Sequence, residues 1–479
     1  MDIKLIFAIL IIPLIVDADY TAKINPNINW GIWEGWGTSL AWWAKIFGER
    51  DDFADILFTT KYVLFSGVQI PGLGMNIVRY NAGASSWNSI DGESMVESPN
   101  IYPFRQIEGF WIDWNNNDPY STSWNWNVDQ SQRTMMQKAK SRGANIFELF
   151  SNSPMWWMLY NHNPSGAENG GNNLQSWNYQ QFAVYLATIA NYAHDHWDID
   201  FHTVEAFNEP SSNWWRSDNN QEGCHISSDI QQQVIQYLRH ELDQRGLNHT
   251  FIAASDENSY DLAITTWQSY TSASRSRVNQ VNVHGYQGTG GRRDILFNLV
   301  QNDQKALWNS EYGEGDASGM SLAINLALDM YWLHPTAWAY WQPFDGNGWG
   351  LIQVDLGSKG VGPINTKYFV LAQYSRHIRP GMKILNSDKS DVTAAYDAVS
   401  QRLVIVAINR ATPQVLTFDL SLFSRVGGAN GGLIRRWSTN TGSGDRYVQR
   451  NDTYLLGKTF MSAFAANSVQ TFEIDNVSV

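Results

Sequence analysis

Cysteine is nearly absent: Cys224 is the only one in 479 residues, so no disulfide forms within the chain and stability has to come from an apolar core. Positive charge is scarce as well. The 33 Lys and Arg residues against 46 Asp and Glu give a net charge of −13. That balance opposes binding to nucleic acid or any other polyanion, whereas a neutral polymer would be indifferent to it. Long apolar runs are also missing. The one that stands out, Leu5 to Val16, follows Lys4 and is too short to cross a bilayer. With Val16 and Ala18 at the positions signal peptidase prefers, residues 1–18 are expected to be a secretory signal, leaving the mature chain extracellular and off the membrane. There is no internal repeat, low-complexity tract, glycine-rich phosphate loop or nucleophilic serine elbow. His194 and His196 stand two apart on a helical stretch and diverge, so no ligand pair forms there, and neither a metal nor a cofactor is expected.

Aromatics are abundant instead, with 23 Trp beside 21 Tyr and 21 Phe. Sugar rings present apolar C–H faces that lie flat on indoles, so this richness favours carbohydrate binding over a merely aromatic core. Hydrophobic content of 43% with 16% charged residues describes an ordered globular protein, and the length exceeds one comfortable core. One large domain and a smaller one are expected.

Strand-like stretches recur at Ile32–Trp36, Met75–Tyr80, Ala144–Phe150, Thr203–Phe207, Phe251–Ser255, Val278–His284, Lys305–Ser310 and Ala337–Trp341. Helical periodicity over Gln130–Ser141, Leu174–Trp197, Ser228–Arg245 and Met320–Leu333 falls between some of them. Eight strands spaced in this way predict an α/β fold, a (β/α)8 TIM barrel over residues 19–378. From Val392 onward the pattern alternates with period two, so residues 379–479 are read as an attached β-sandwich. The first residues after the signal are free to join that second domain. The stretch Asn81–Asp129 carries Trp87, Trp111, Trp114, Trp124 and Trp126 without sustained periodicity, a loop long enough to point to a function.

Polar residues sit where a barrel builds its active site, at carboxyl ends of the proposed strands: Arg79, Asn208, Glu209, His284, Tyr286, Glu311 and Gln342. The stretches Val204–Pro210 and Leu307–Gly313 both run from apolar residues into a glutamate, on strands four and seven, which are expected to face each other. Two carboxylates from two strand ends are what glycosidic cleavage requires. Glu209 and Glu311 are therefore the candidate catalytic pair. Asn208, beside the acid, is placed to hydrogen-bond a sugar 2-hydroxyl. Trp36, in Trp33-Glu-Gly-Trp-Gly-Thr38, lies at a strand end opening into a pocket and joins His284 as a candidate substrate contact. Rival acids are Glu314 and Asp316 in a glycine-rich loop, Glu205, expected to point inward and be buried, and Glu148 and Glu257, with binding or structural roles.

Phe207-Asn-Glu-Pro210, His284-Gly-Tyr286, Trp308-Asn-Ser-Glu311 and Tyr374-Ser-Arg-His-Ile-Arg-Pro-Gly381 together resemble glycoside hydrolase family 30, a family of retaining enzymes with a (β/α)8 barrel and an attached β-sandwich. Gly35-Trp-Gly-Thr-Ser-Leu-Ala-Trp-Trp43 and Ser310-Glu-Tyr-Gly-Glu-Gly-Asp-Ala-Ser-Gly319 are similar to the fungal endo-β-1,6-galactanases of that family, which cut galactan side chains of arabinogalactan. The resemblance implies Glu209 as acid/base, Glu311 as nucleophile, and Arg79, Asn208, Tyr286 and Trp341 around the −1 sugar, with Tyr286 bonding the nucleophile and Trp341 as the floor. Several relatives carry a sugar-stacking Trp in a Ser-Pro-Trp arrangement, where this chain has Ser153-Pro-Met-Trp-Trp157. The expectation is a secreted, monomeric, metal-independent endo-glycosidase acting on a polysaccharide. Two alternatives stand beside it: an endo-β-1,6-glucanase or endo-xylanase of the same family, and a non-catalytic carbohydrate-binding or elicitor protein, which would have no need of both acids.

Overall fold

A computed structural model describes residues 19–479. The expected signal, residues 1–18, lies outside the described residues. Eight parallel strands close into a barrel in chain order: β1 (Gly35–Ser39), β2 (Ile77–Asn81), β3 (Ile146–Phe150), β4 (Thr203–Glu205), β5 (Phe251–Glu257), β6 (Gln280–His284), β7 (Ala306–Tyr312) and β8 (Ala337–Tyr340). The chain is thus the α/β barrel that the strand spacing predicts. β8 closes on β1 through Ala337 opposite Gly35 and Tyr340 opposite Thr38. Long helices such as Tyr179–Trp197 and Ser228–Gln244 connect the strands and pack on the outside; the second buries one apolar stripe, whereas the first is buried all round from Phe182 to Ala190.

The first barrel strand differs from the expected Ile32–Trp36. Ile32 instead ends a long strand, Tyr20–Ile32, and β1 starts at Gly35. The break has a steric cause: Gly35 has φ +147°, and a Cβ there would lie 1.9 Å from Asn76 Oδ1, whose amide bonds Trp36 N and the Glu34 carbonyl.

Tyr20–Ile32 pairs antiparallel with Lys383–Ser387 and parallel with Gln414–Asp419, inside a nine-stranded sheet built otherwise from the C-terminal part of the chain. This mostly-strand unit folds over on itself. Phe418 and Phe472, on strands five places apart in the sheet order, have ring centroids 5.2 Å apart and share a core with Ile24, Ile405 and Phe460. Helix Thr366–Ser375 joins it to the barrel, with Gln373 Nε2 donating to Thr439 Oγ1 and Thr471 Oγ1 donating to the Gln373 carbonyl, both at 2.8 Å.

The aromatic content of the 81–129 loop is largely packing. Trp111 stacks on Trp124 (4.9 Å), Trp124 on Trp126 (5.2 Å) and Trp126 on Tyr192 of helix Tyr179–Trp197 (3.6 Å). This ladder clamps onto the barrel's side a loop whose regular structure is limited to a two-residue hairpin ladder, Ser89–Ile90 with Glu93–Ser94, and a 3-10 turn, Pro103–Arg105. Trp156 and Trp157 are buried with it, their indole N–H groups donating to Ser86 Oγ and the Trp111 carbonyl.

Candidate active site

Carboxyl ends of the strands are where the ladder becomes irregular. Register shifts occur on β5 between Ser255 and Glu257 and on β7 between Asn309 and Tyr312, the latter in its pairing with both β6 and β8. Such bulges re-aim side chains, and here they carry Asp256 on β5 and Ser310 and Glu311 on β7. β4 is only three residues long. Past it the chain turns at Glu209, which has φ +48° and whose amide donates to the Asp256 carbonyl at 2.8 Å. A glutamate in the left-handed region is uncommon and is held there by its surroundings. Trp215 Nε1 pins the same residue by donating to the Glu209 carbonyl at 2.9 Å.

Strands β4 and β7 are three places apart around the ring, not diametrically opposed as expected from the sequence, and β6 brings His284 in between them. One atom each of Glu209, His284 and Glu311 lies within 4.8 Å of the others. Glu311 receives a donor on each oxygen: Arg79 Nη1 on Oε2 at 3.1 Å and the Tyr286 hydroxyl on Oε1 at 2.8 Å. Glu209 receives two on one oxygen, since Asn258 Nδ2 (2.8 Å) and His284 Nδ1 (3.1 Å) both bond Oε1.

Beneath these acids is a buried charge network. Arg79, fully buried, donates Nε to Glu148 at 2.8 Å and Nη2 to Asp256 at 2.6 Å besides its bond to Glu311. Burial works against its charge, and Asp256, Glu148 and Glu311 outweigh that and raise its pKa. For Asp256 burial acts upward, while Arg79 and His284 hold the carboxyl well below the usual carboxylate range. Burial would lower the pKa of His284; the charges of Glu311 and Asp256, with the bond to Glu209, lift it well above the ordinary value. Its Nε2 lies 3.1 Å from Asp256 Oδ2 in an ion pair without hydrogen-bond alignment. Glu311 itself is pushed up by burial, with His284 and Arg79 pulling the other way. Burial and then Glu311 raise the Tyr286 hydroxyl well above its usual value, so it stays a donor.

Glu209, His284 and Glu311 have the spacing of a three-ligand metal site. The chemistry does not fit one. Both ring nitrogens of His284 already face carboxylates, Nδ1 towards Glu209 and Nε2 towards Asp256, each at 3.1 Å, and the position of a cation beside Glu311 is taken by the Arg79 guanidinium.

Above the acids opens a cavity of about 600 Å³. Asn208, Glu209, Tyr286, Glu311 and Trp341 line it, so five of the residues marked in the sequence meet there. A sequence model described as O-Glycosyl hydrolase family 30 matches residues 20–285. The chain belongs to glycoside hydrolase family 30. It is 57% identical over 460 residues, covering 96% of this chain and 95% of the relative, to an endo-β-1,6-galactanase of Hypocrea rufa. Among solved structures, the fold is similar to that of a conserved exported protein from Bacteroides fragilis (TM-score 0.75, 17% identity, 95% of this chain and 100% of that one). It is also similar to the catalytic domain of xylanase C from Talaromyces cellulolyticus, at TM-score 0.69 and 20% identity over 95% and 100% of the two chains.

Other residues marked in this family 30 glycoside hydrolase lie elsewhere. Trp36 is not at the cavity: its side chain is 1% exposed, donates Nε1 to the Ile378 carbonyl at 2.7 Å and packs against Trp33 and Trp338. It points from β1 into the aromatic layer behind the barrel wall, a direction that position on a strand end alone leaves open. Arg79 and His284 do not line the cavity either; they act on the acids from below. Gln342 holds the wall, accepting from Trp42 N at 2.6 Å and donating to Asp345 at 2.7 Å. Each rival acid is engaged. Glu205 is fully buried and accepts from Phe207 N, Glu148 serves Arg79, Glu257 takes the Ser211 and Thr266 hydroxyls, Glu314 pairs with Lys367 at 2.8 Å, and Asp316 accepts from Ser318 N within its own loop.

Asp256 and Asn258 were open to the same strand-end rule, one and three residues past a strand read as ending at Ser255. Trp42, Trp214 and Trp349 come from irregular loops, Arg105 from a single 3-10 turn and Asp345 from a two-residue strand, whose courses no periodicity encodes.

Proposed function

We propose that the enzyme is a secreted, monomeric retaining endo-glycosidase that cleaves β-1,6-linked galactan, including the side chains of arabinogalactan, by double displacement. The observation that carries the mechanism is the approach of the two acids. One oxygen of Glu209 and one of Glu311 lie within 4.8 Å of each other, an approach that fits the about 5–5.5 Å carboxyl separation of retaining pairs better than the roughly 6.5–9.5 Å that leaves room for an inverting water. The substrate rests on the galactanase relative.

In the first step Glu311 attacks the anomeric carbon while Glu209 transfers its proton to the departing glycosidic oxygen; the C1–O bond breaks and an ester to Glu311 forms. A water then attacks the same carbon, Glu209 takes its proton, and the ester bond breaks with Glu311 restored. Two inversions leave the β configuration unchanged. Arg79 and Tyr286 aim Glu311 and return its charge to a prepared site. Asn208 is buried with Oδ1 free of any partner among the described residues, an acceptor suited to the 2-hydroxyl of the −1 sugar. Trp341, edge-to-face with Trp42 at 5.3 Å, offers that sugar a floor.

Hydrolysis of β-1,6-galactan, β-1,6-glucan and xylan side by side tests the specificity, with NMR of the first-formed product reporting its anomer. Preference for β-1,6-galactan with a β product is expected. Preference for glucan or xylan would replace the substrate, and an α product would overturn the mechanism.

A further inference from the structure

The acid that protonates the leaving oxygen must reach it, so the sugar that departs lies on the Glu209 side of the cavity. That side is built by the loop after Glu209, and it presents one large aromatic face. Trp214 is 42% exposed, lines the cavity together with Glu209, and touches its neighbour Trp215 only at an angle, with ring centroids 6.2 Å apart at 62°.

The loop that carries it is braced. Trp215 is buried and pinned to the Glu209 carbonyl, and Gly223 packs on its indole so closely that a Cβ there would lie 2.0 Å from Cε3. Asn219 Nδ2 donates to the Trp214 carbonyl at 3.1 Å, and Asn100 Nδ2 donates to the Asp218 carbonyl at 2.6 Å. Glu222 closes the loop by accepting from Ser85 Oγ (2.7 Å) and Ile107 N (3.0 Å). An indole mounted on such a frame keeps its orientation before a ligand arrives, which reduces the entropy lost on stacking. The polar cavity residues of this loop beyond the acid, Asn219, Asn220 and Gln221, are uncharged amides, partners of neutral hydroxyls.

We propose that Trp214 is the platform of an aglycone subsite, on which the neutral hexose carried by the leaving oxygen stacks. The inference rests on Glu209 being the acid. It gains weight from the β-1,6 linkage: the leaving oxygen is a primary one on C6, and rotation about C5–C6 leaves the departing ring poorly directed by the bond alone. A fixed aromatic face supplies the missing constraint.

The test compares wild type, Trp214→Ala and Trp214→Phe on β-1,6-galactotetraose and on β-1,6-galactobiosyl fluoride, whose leaving group has no ring to stack. For Trp214→Ala, kcat/KM is expected to fall about tenfold more on the tetraose than on the fluoride, with Trp214→Phe recovering most of it. Loss of folded enzyme would lower both substrates alike and cancels in the ratio. An unchanged ratio overturns the platform. Wild type that cuts only another β-linked oligosaccharide overturns the galactan reading, and the same ratio on that sugar and its glycosyl fluoride then decides the subsite.

Discussion

Glu311 is the penultimate residue of a seven-residue strand with one donor on each carboxylate oxygen, whereas Glu209 sits in a left-handed turn four residues past a three-residue strand with both donors on Oε1. The difference fits the roles proposed for the two groups. An attacking carboxylate must be aimed and kept anionic, so a guanidinium and a phenol hold both its oxygens. An acid/base must lose and regain a proton in every turnover, so one oxygen is anchored and the other, Oε2, has no protein partner among the described residues. The strand supplies stiffness to the first; the turn, fixed by Trp215 and Asp256, places the second out over the cavity.

Removing the aimed group is the largest disruption. Glu311→Gln keeps the shape but not the nucleophile, and turnover should fall by roughly 10⁴-fold or more, measured as reducing ends released from galactan. Glu209→Ala should lose about 10²–10⁴-fold, and added azide, which needs no base to attack the glycosyl-enzyme, should return part of the rate. Azide rescue of the first variant and none of the second would reverse the two roles.

Smaller changes sharpen the contrast. Burial raises the carboxyl of Glu311, and only its ionised form attacks, so the acid limb of kcat/KM should lie above the free-glutamate value of about 4.3, with activity lost as pH falls through it. Tyr286→Phe removes a donor to that anion. The limb should then move to still higher pH, and the rate should drop about ten- to a hundredfold, the worth of one charge-assisted bond. Removing the Trp36 indole N–H, which bonds the Ile378 carbonyl, should cost stability alone: Trp36→Phe is expected to lower it by about 1–3 kcal/mol in urea unfolding with kcat retained.

The same contrast separates what is legible in the sequence from what is not. Glu209, Glu311, Asn208 and Tyr286 are readable because a polar residue ending an apolar strand breaks the local pattern, and the barrel gathers all such breaks at one face. Trp36 breaks that rule because Gly35 shifts the first strand and sends the indole into the wall. Arg79 and His284 are readable as strand-end residues but not as members of a buried layer beneath the acids, since nothing in their own segments reveals Asp256 and Glu148 opposite them. The loop tryptophans divide in a way composition hides: Trp111, Trp124 and Trp126 stack on one another, while Trp42, Trp214 and Trp349 face the cavity. Only the path of the backbone tells the two sets apart.

The central claim is that Glu311 forms the covalent bond. Incubation with 2-deoxy-2-fluoro-β-1,6-galactobiosyl fluoride, followed by peptide mass mapping, tests it directly. The label should be found on Glu311, and its appearance on Glu209, Glu314 or any other carboxylate would contradict the account.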